Sequence, residues 1–277
     1  MSAQPLTDLS RLCIHTITTR PWSIETAIEK YSEAGVKGIT VWRDALEWKN
    51  IKSTGKLIRD SGLSVVSLCR GGFFPSIDIN KRKASIDDNL KAIEEAVELG
   101  APMIVLVCGA EPNQSLEDSR KQIQEGIETI LPAAKSAEVK LAIEPLHPMY
   151  ADTRSAINTL EQANSMAEAI NSPLVGVAVD VYHVWWDPHL EKEIKLCGKN
   201  NHLFAFHICD WNVPTQDFLW DRGLMGEGCI PIKKIRGWVE ETGFNGFNEV
   251  EIFSHKFWSE DQSEFLTKII TAYQEKS

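Results

Sequence analysis

The chain has 277 residues with 29 Lys+Arg against 39 Asp+Glu, a formal net charge of −10. Its 43% hydrophobic and 25% charged residues are globular values, and its length suits one large domain. The acidic balance argues against a nucleic-acid binder, and the longest apolar runs (103–108 and 174–179) are six residues, far short of a membrane span. Residues 1–10 show no secretory pattern. The six scattered cysteines include no C-x-x-C pair, so a reduced, cytoplasmic protein is expected.

Taken in chain order, strand-like runs fall at 12–18, 38–42, 64–70, 103–109, 140–145, 175–181, 203–210 and 248–253. Several are continuously apolar, as suits parallel strands covered on both faces. Helical patterns lie between and after them, at 22–34, 44–61, 85–99, 115–137, 153–170, 189–197, 231–241 and 260–274. The first carries Ile24, Ala27, Ile28 and Tyr31 on one stripe and stops at Gly35. Another carries Ile86, Leu90, Ile93, Ala96 and Val97 before Gly100, and the helix after Ser115 opens on an N-cap and acidic residues. Eight strand-then-helix units without a linker predict one α/β domain over 1–277, a (β/α)8 TIM barrel. A doubly wound sheet would want a Gly-rich turn after its first strand, and Thr18-Thr19-Arg20-Pro21 is not one. The long loop at 209–230 is expected to cover substrate.

Barrel chemistry sits at the C-terminal ends of the strands. The fifth strand ends in Glu144, with His147 just beyond, and the sixth in Asp180, with His183 just beyond. The seventh carries His207, and the eighth Glu249 and Glu251. One acidic residue at a strand end is commonly a helix cap or an ion pair. Carboxylates and an imidazole on four adjacent strands are not explained that way, because a dry acidic cluster repels itself unless a cation joins it. The donors Glu144, Asp180, His207 and Glu251 suit one divalent ion, with Mn expected and Co, Mg or Zn alternatives. Glu249 and Glu251 share a face of their strand. Glu251, nearer the C-terminal end, is the expected ligand; Glu249 is left as a rim contact or a deeper salt bridge.

Glu144, the D-x-x-H spacing of Asp180 and His183, His207, and Glu251 in V-E-I-F resemble the xylose isomerase-like barrels. The likeness is greatest to the sugar phosphate isomerase/epimerase branch, with its ketose 3-epimerases, hydroxypyruvate isomerases and inosose dehydratases. The resemblance implies one divalent metal on Glu144, Asp180, His207 and Glu251, with Glu144 and Glu251 also an acid/base pair. It further implies that His183 contacts substrate hydroxyls. Arg222, a further substrate contact under this resemblance, matches the arginine expected before a G-E-G turn, although it lies 15 residues beyond His207 in a Trp-rich insertion.

Such a site would enolise a keto-sugar or keto-polyol. A metal polarises the carbonyl, one carboxylate removes the α-proton, and a second group returns it elsewhere. The expected activity is isomerase/epimerase, with a lyase or dehydratase acting through the same proton abstraction as the alternative. Further substrate contacts are expected at His147 and at His15, Arg43 and Arg70 on the first three strands, although a strand-end arginine is as often bonded to a helix. Tyr182, Trp185 and Trp186 are either a sugar-stacking wall or a buried interface. With no Gly-rich helix N-terminus after strands seven or eight, an uncharged sugar is expected rather than a phosphate. A small sugar is thus the expected partner, without nucleic acid or membrane; homo-oligomerisation is left open. A DNA-repair endonuclease of the same barrel class would want histidines where strands two and three end in Arg43 and Arg70.

Overall fold

In the computed structural model, which describes residues 6–277, every predicted strand joins one sheet. The strands are β1 (Leu12–His15), β2 (Gly38–Trp42), β3 (Ser64–Gly72), β4 (Met103–Val107), β5 (Lys140–Glu144), β6 (Val175–Asp180) and β7 (Leu203–Ile208). The short pair β8 (Asp210–Trp211) and β9 (Arg222–Gly223) follows, then β10 (Asn248–Val250). Their order, β1-β10-β7-β6-β5-β4-β3-β2, closes a barrel of eight parallel strands, and β8 and β9 form a separate antiparallel hairpin. The (β/α)8 fold is therefore present.

The helices are α1 (Ile24–Glu33), α2 (Ile51–Asp60), α3 (Ile79–Leu99), α4 (Leu116–Ala137), α5 (Leu160–Ile170) and the short α6 (Val181–Val184). They continue with α7 (Leu190–Lys199), α8 (Ile232–Glu241), the short α9 (His255–Trp258) and α10 (Gln262–Lys276). Side-chain oxygens of Ser23, Asn50, Asp78, Ser115, Thr159 and Asp261 accept from free backbone N–H groups at helix starts. Three helical patterns change most. The 44–61 pattern divides into a 3-10 turn at Arg43–Leu46 and α2, and α3 begins six residues early at its Asp78 cap. The 153–170 pattern becomes helical only at Leu160, because Ser155 and Asn158 bond the backbone of an irregular segment. Among the described residues, no helix is long and apolar enough to cross a membrane.

Most of the core lies between strands and helices, but a small second cluster fills the barrel: Cys69, Met103, Val105, Ala142, Ala178 and Ala205. Strand side chains repeat every two residues. Two positions beyond Ala142, Ala178 and Ala205 stand Glu144, Asp180 and His207, which therefore also point inward, one layer higher. The register sets Asp180 beside His207 and His207 beside Glu249. Alanines thus underlie Glu144, Asp180 and His207 in a ring of ionisable groups.

Candidate metal centre and catalytic site

Glu144, Asp180, His207 and Glu251 are all buried, and each offers one donor atom within 4.8 Å of the others. His207 Nδ1 lies 3.1 Å from Glu144 Oε1. The pair is not aligned as a hydrogen bond, so Glu144 Oε1 and both ring nitrogens of His207 are buried without a hydrogen-bond partner. Buried polar atoms rarely stay unpaired, and a carboxylate–imidazole donor set with unused lone pairs fits a divalent cation. A cavity of about 20 Å³ adjoins Glu144 and Glu251, room for one water-sized occupant.

Arg222 reaches this cluster from β9. Its Nη1 donates to Glu251 Oε2 at 2.8 Å and to Asp180 Oδ2 at 3.1 Å, and its Nη2 lies 3.1 Å from His183 Nε2. The guanidinium is only 3% exposed and packs over the rings of Tyr182 and Phe253. Burial raises the Asp180 carboxyl above its ordinary range. Burial works the same way on Glu251, but His15 and Arg222 beside it hold it well below that range. His183 is pushed well below the usual imidazole range by burial and by Arg222, so it stays neutral.

Beneath Glu251 lies a second polar layer. Glu249 is the deeper salt bridge: its Oε2 accepts from Thr40 Oγ1 at 2.6 Å and sits 3.2 Å from His15 Nε2. Trp42 Nε1 lies 3.3 Å from His15 Nδ1. His15 was expected to touch substrate, but it is fully buried with Glu249 and Glu251 at its two ring nitrogens. Burial opposes its charge, yet the two carboxylates raise it to about 9.

The remaining expected contacts separate. Arg43 is fastened to α3, with both terminal nitrogens on Asp88 and its Nε 2.6 Å from Glu95. Arg43 and Arg70 both line an open cavity of about 420 Å³ at the barrel mouth, but Arg70 makes no such side-chain bonds. His183 lines the small cavity beside Glu144 and Glu251. His147 is half-buried, accepts from Met149 N–H, and stands against Trp186 and Trp211. Tyr182 and Trp185 likewise pack on Trp211, and Trp186 donates to the His183 carbonyl. These rings turn toward one another, which favours packing, the second of the two alternatives, over a stacking wall at the site. The aromatic residues at the mouth are Trp42, Phe73, Trp220 and Phe253. Arg154, which lines both cavities, and Arg20, which lines the larger, escape the sequence reading. Arg154 falls in a segment that reads as the start of a helix; Arg20 lies in a polar turn with no pattern of its own.

Barrel, inward acidic ring and mouth cavity define a strand-end site of the TIM-barrel type. A family model described as xylose isomerase-like TIM barrel matches residues 28–269, and the chain belongs to that family. A putative L-ribulose-5-phosphate 3-epimerase of Haemophilus influenzae is 27% identical over 78% of this chain and 73% of its own length. A crystal structure of a protein from Sinorhizobium meliloti 1021 superposes with a TM-score of 0.93 at 44% identity, over 97% of this chain and 99% of that one. The IOLI protein, crystallised with a zinc atom, has the same fold, with a TM-score of 0.83 at 21% identity over 95% and 96% of the two chains.

Proposed function

We propose that the chain is a divalent-metal-dependent sugar isomerase or epimerase acting on a keto-sugar or keto-polyol. The observation that carries this reading is the convergence of Glu144, Asp180, His207 and Glu251, with buried donor atoms left unpaired among them. These four residues would hold the ion, with Mn the first candidate and Co, Mg or Zn alternatives. When bound, the ion supplies polarisation of a substrate carbonyl. Glu144 and Glu251 are the acid/base pair: one takes the α-proton, and the other returns a proton to the neighbouring carbon in isomerisation or to the opposite face of the same carbon in epimerisation. His15 and Arg222 hold Glu251 ionised, the state from which a base must start, and the same two partners lower its basicity. His183, neutral beside Arg222 and lining the small cavity, is a contact for substrate hydroxyls in this reading. His147 and Arg70 are further substrate contacts in this reading, while Arg222, Arg43 and His15 position their neighbours. The similarity to a putative sugar-phosphate epimerase supports the same reaction class.

The test is hydrogen exchange. Mn-loaded protein in deuterated water, incubated with a panel of ketopentoses, ketohexoses, their phosphates and keto-sugar acids, is expected to exchange the α-proton of at least one. Absence of exchange across the whole panel would overturn the proposal.

A further inference from the structure

Four arginines and two aspartates line the mouth cavity: Arg20, Arg43, Arg70 and Arg154 against Asp44 and Asp88. Asp88 is already taken by both terminal nitrogens of Arg43. Among the described residues, Arg20, Arg70 and Arg154 make no side-chain hydrogen bond or ion pair. Their guanidinium groups rest on aromatic faces instead: Arg20 on Trp258, Arg70 on Phe73 and Arg154 on Tyr150. Such stacking holds a guanidinium in place while leaving its N–H fork unspent.

These cations also crowd one another. Burial, then Arg154, pushes Arg70 down to about 10, and burial lowers Arg154 as well. In a chain whose net charge is −10, a knot of unpaired positive charge at one opening is a local exception. An anion there would relieve both the repulsion and the unmet donors.

We infer that the mouth cavity is an anion subsite, in which Arg70 and Arg154, with Arg20 at the rim, bind a carboxylate or phosphate carried by the sugar. Trp42, Arg154 and Phe253 line both this cavity and the small one at the glutamates. One ligand therefore spans both, with the reacting carbonyl at the acidic ring and the anion at the opposite end of the chain. The substrate is then an anionic keto-sugar, either a sugar acid or a sugar monophosphate, which replaces the uncharged sugar expected from the sequence. This inference rests on the enolising reading for the reaction, but the subsite is tested apart from it.

Calorimetric titration of the Mn-loaded protein with D-glucitol, D-gluconate and D-glucitol 6-phosphate reads the subsite without turnover, since none of the three has a ketone. At least one anionic polyol is expected to bind ~10-fold or more tightly than D-glucitol, and which one does so distinguishes carboxylate from phosphate. Arg70→Gln and Arg154→Gln should each erase most of that preference, and Arg70→Lys should retain part of it. Should one Gln variant fail to fold, the other and the Lys variant carry the test. Equal affinity for neutral and anionic polyols overturns the subsite. So does an anion preference that survives both substitutions, because the anion would then be held by the metal. Exchange of the α-proton in neutral ketoses, without an anion preference, defeats the subsite alone. A clear anion preference without exchange in any keto-sugar defeats the enolising reading alone.

Discussion

His15 Nδ1 lies 2.9 Å from Glu251 Oε1 while its Nε2 lies 3.2 Å from Glu249 Oε2, so one imidazole links two glutamates of a single chain segment. The register of β1 against β10 sets Cys13 beside Glu249, and the next inward residue of β1, His15, then meets Glu251. A charged ring between two carboxylates offsets repulsion that burial would otherwise magnify.

That arrangement has a pH signature in the protein freed of metal by a chelator. His15 and His207 are both held at about 9, above the ordinary 6.5, by neighbouring carboxylates that outweigh their burial. A raised folded-state value means that their stabilisation is full below pH ~6.5 and is lost as pH rises through about 9. The thermal midpoint of the chelated protein should fall across that window. The fall should be shallower in His15→Asn, where only the His207 part remains. A flat profile in the parent protein would contradict the charged-imidazole arrangement.

Metal content gives a direct check on the donor set. Protein purified without chelator should carry about one equivalent of a divalent ion, and Asp180→Ala should lose most of it. Elemental analysis measures both. Full occupancy in the variant would remove Asp180 from the set.

Glu144→Gln and Glu251→Gln keep size but not basicity. Each should lower the exchange or turnover rate by ~10²–10⁴-fold at saturating Mn. The saturating ion separates loss of the acid/base group from weakened metal binding. An active Glu251→Gln protein would point to a different base, with His147 the next to test.

Gly55, inside α2, tests the packing behind the site. Glycine to alanine in a helix ordinarily gains ~1 kcal/mol. Here the added Cβ would stand 2.1 Å from the Leu99 carbonyl oxygen, a backbone atom that cannot rotate aside. Overpacking of ~1–3 kcal/mol outweighs the propensity gain, so Gly55→Ala should unfold at lower urea concentration than the parent.

The strand positions and the acidic ring were legible because parallel strands buried on both faces read as apolar runs, and the inward side of each is fixed by counting in twos from Glu144, Asp180, His207 and Glu251. Two kinds of feature were not legible. One is depth: His15 ends an apolar run just as a rim residue would, and only the pairing of β1 with β10 places it under the ring. The other is membership of the mouth. Arg154 opens a segment that reads as helix, Arg20 lies in a turn without periodicity, and the tryptophans at 185, 186 and 211 are close in sequence to the site yet pack on one another and on His147. The first turns of α3 were missed because residues 79–84 are mostly polar, and their start depends on the Asp78 cap rather than on an apolar stripe.

The β8–β9 hairpin places Arg222 among the buried carboxylates and, two residues earlier, Trp220 at the opening. Its alignment is fixed by Arg222 N–H on the Phe253 carbonyl and by the bridge between Asp221 and Ser254. Floor and entrance are therefore mechanically one part. An insertion or deletion within 212–221 that slid this hairpin by a single residue would turn Arg222 away from Glu251 and carry Trp220 out of the rim in the same movement. Altering what enters the barrel through this loop, without disturbing the chemistry below, would thus require substitutions that leave its length and register untouched.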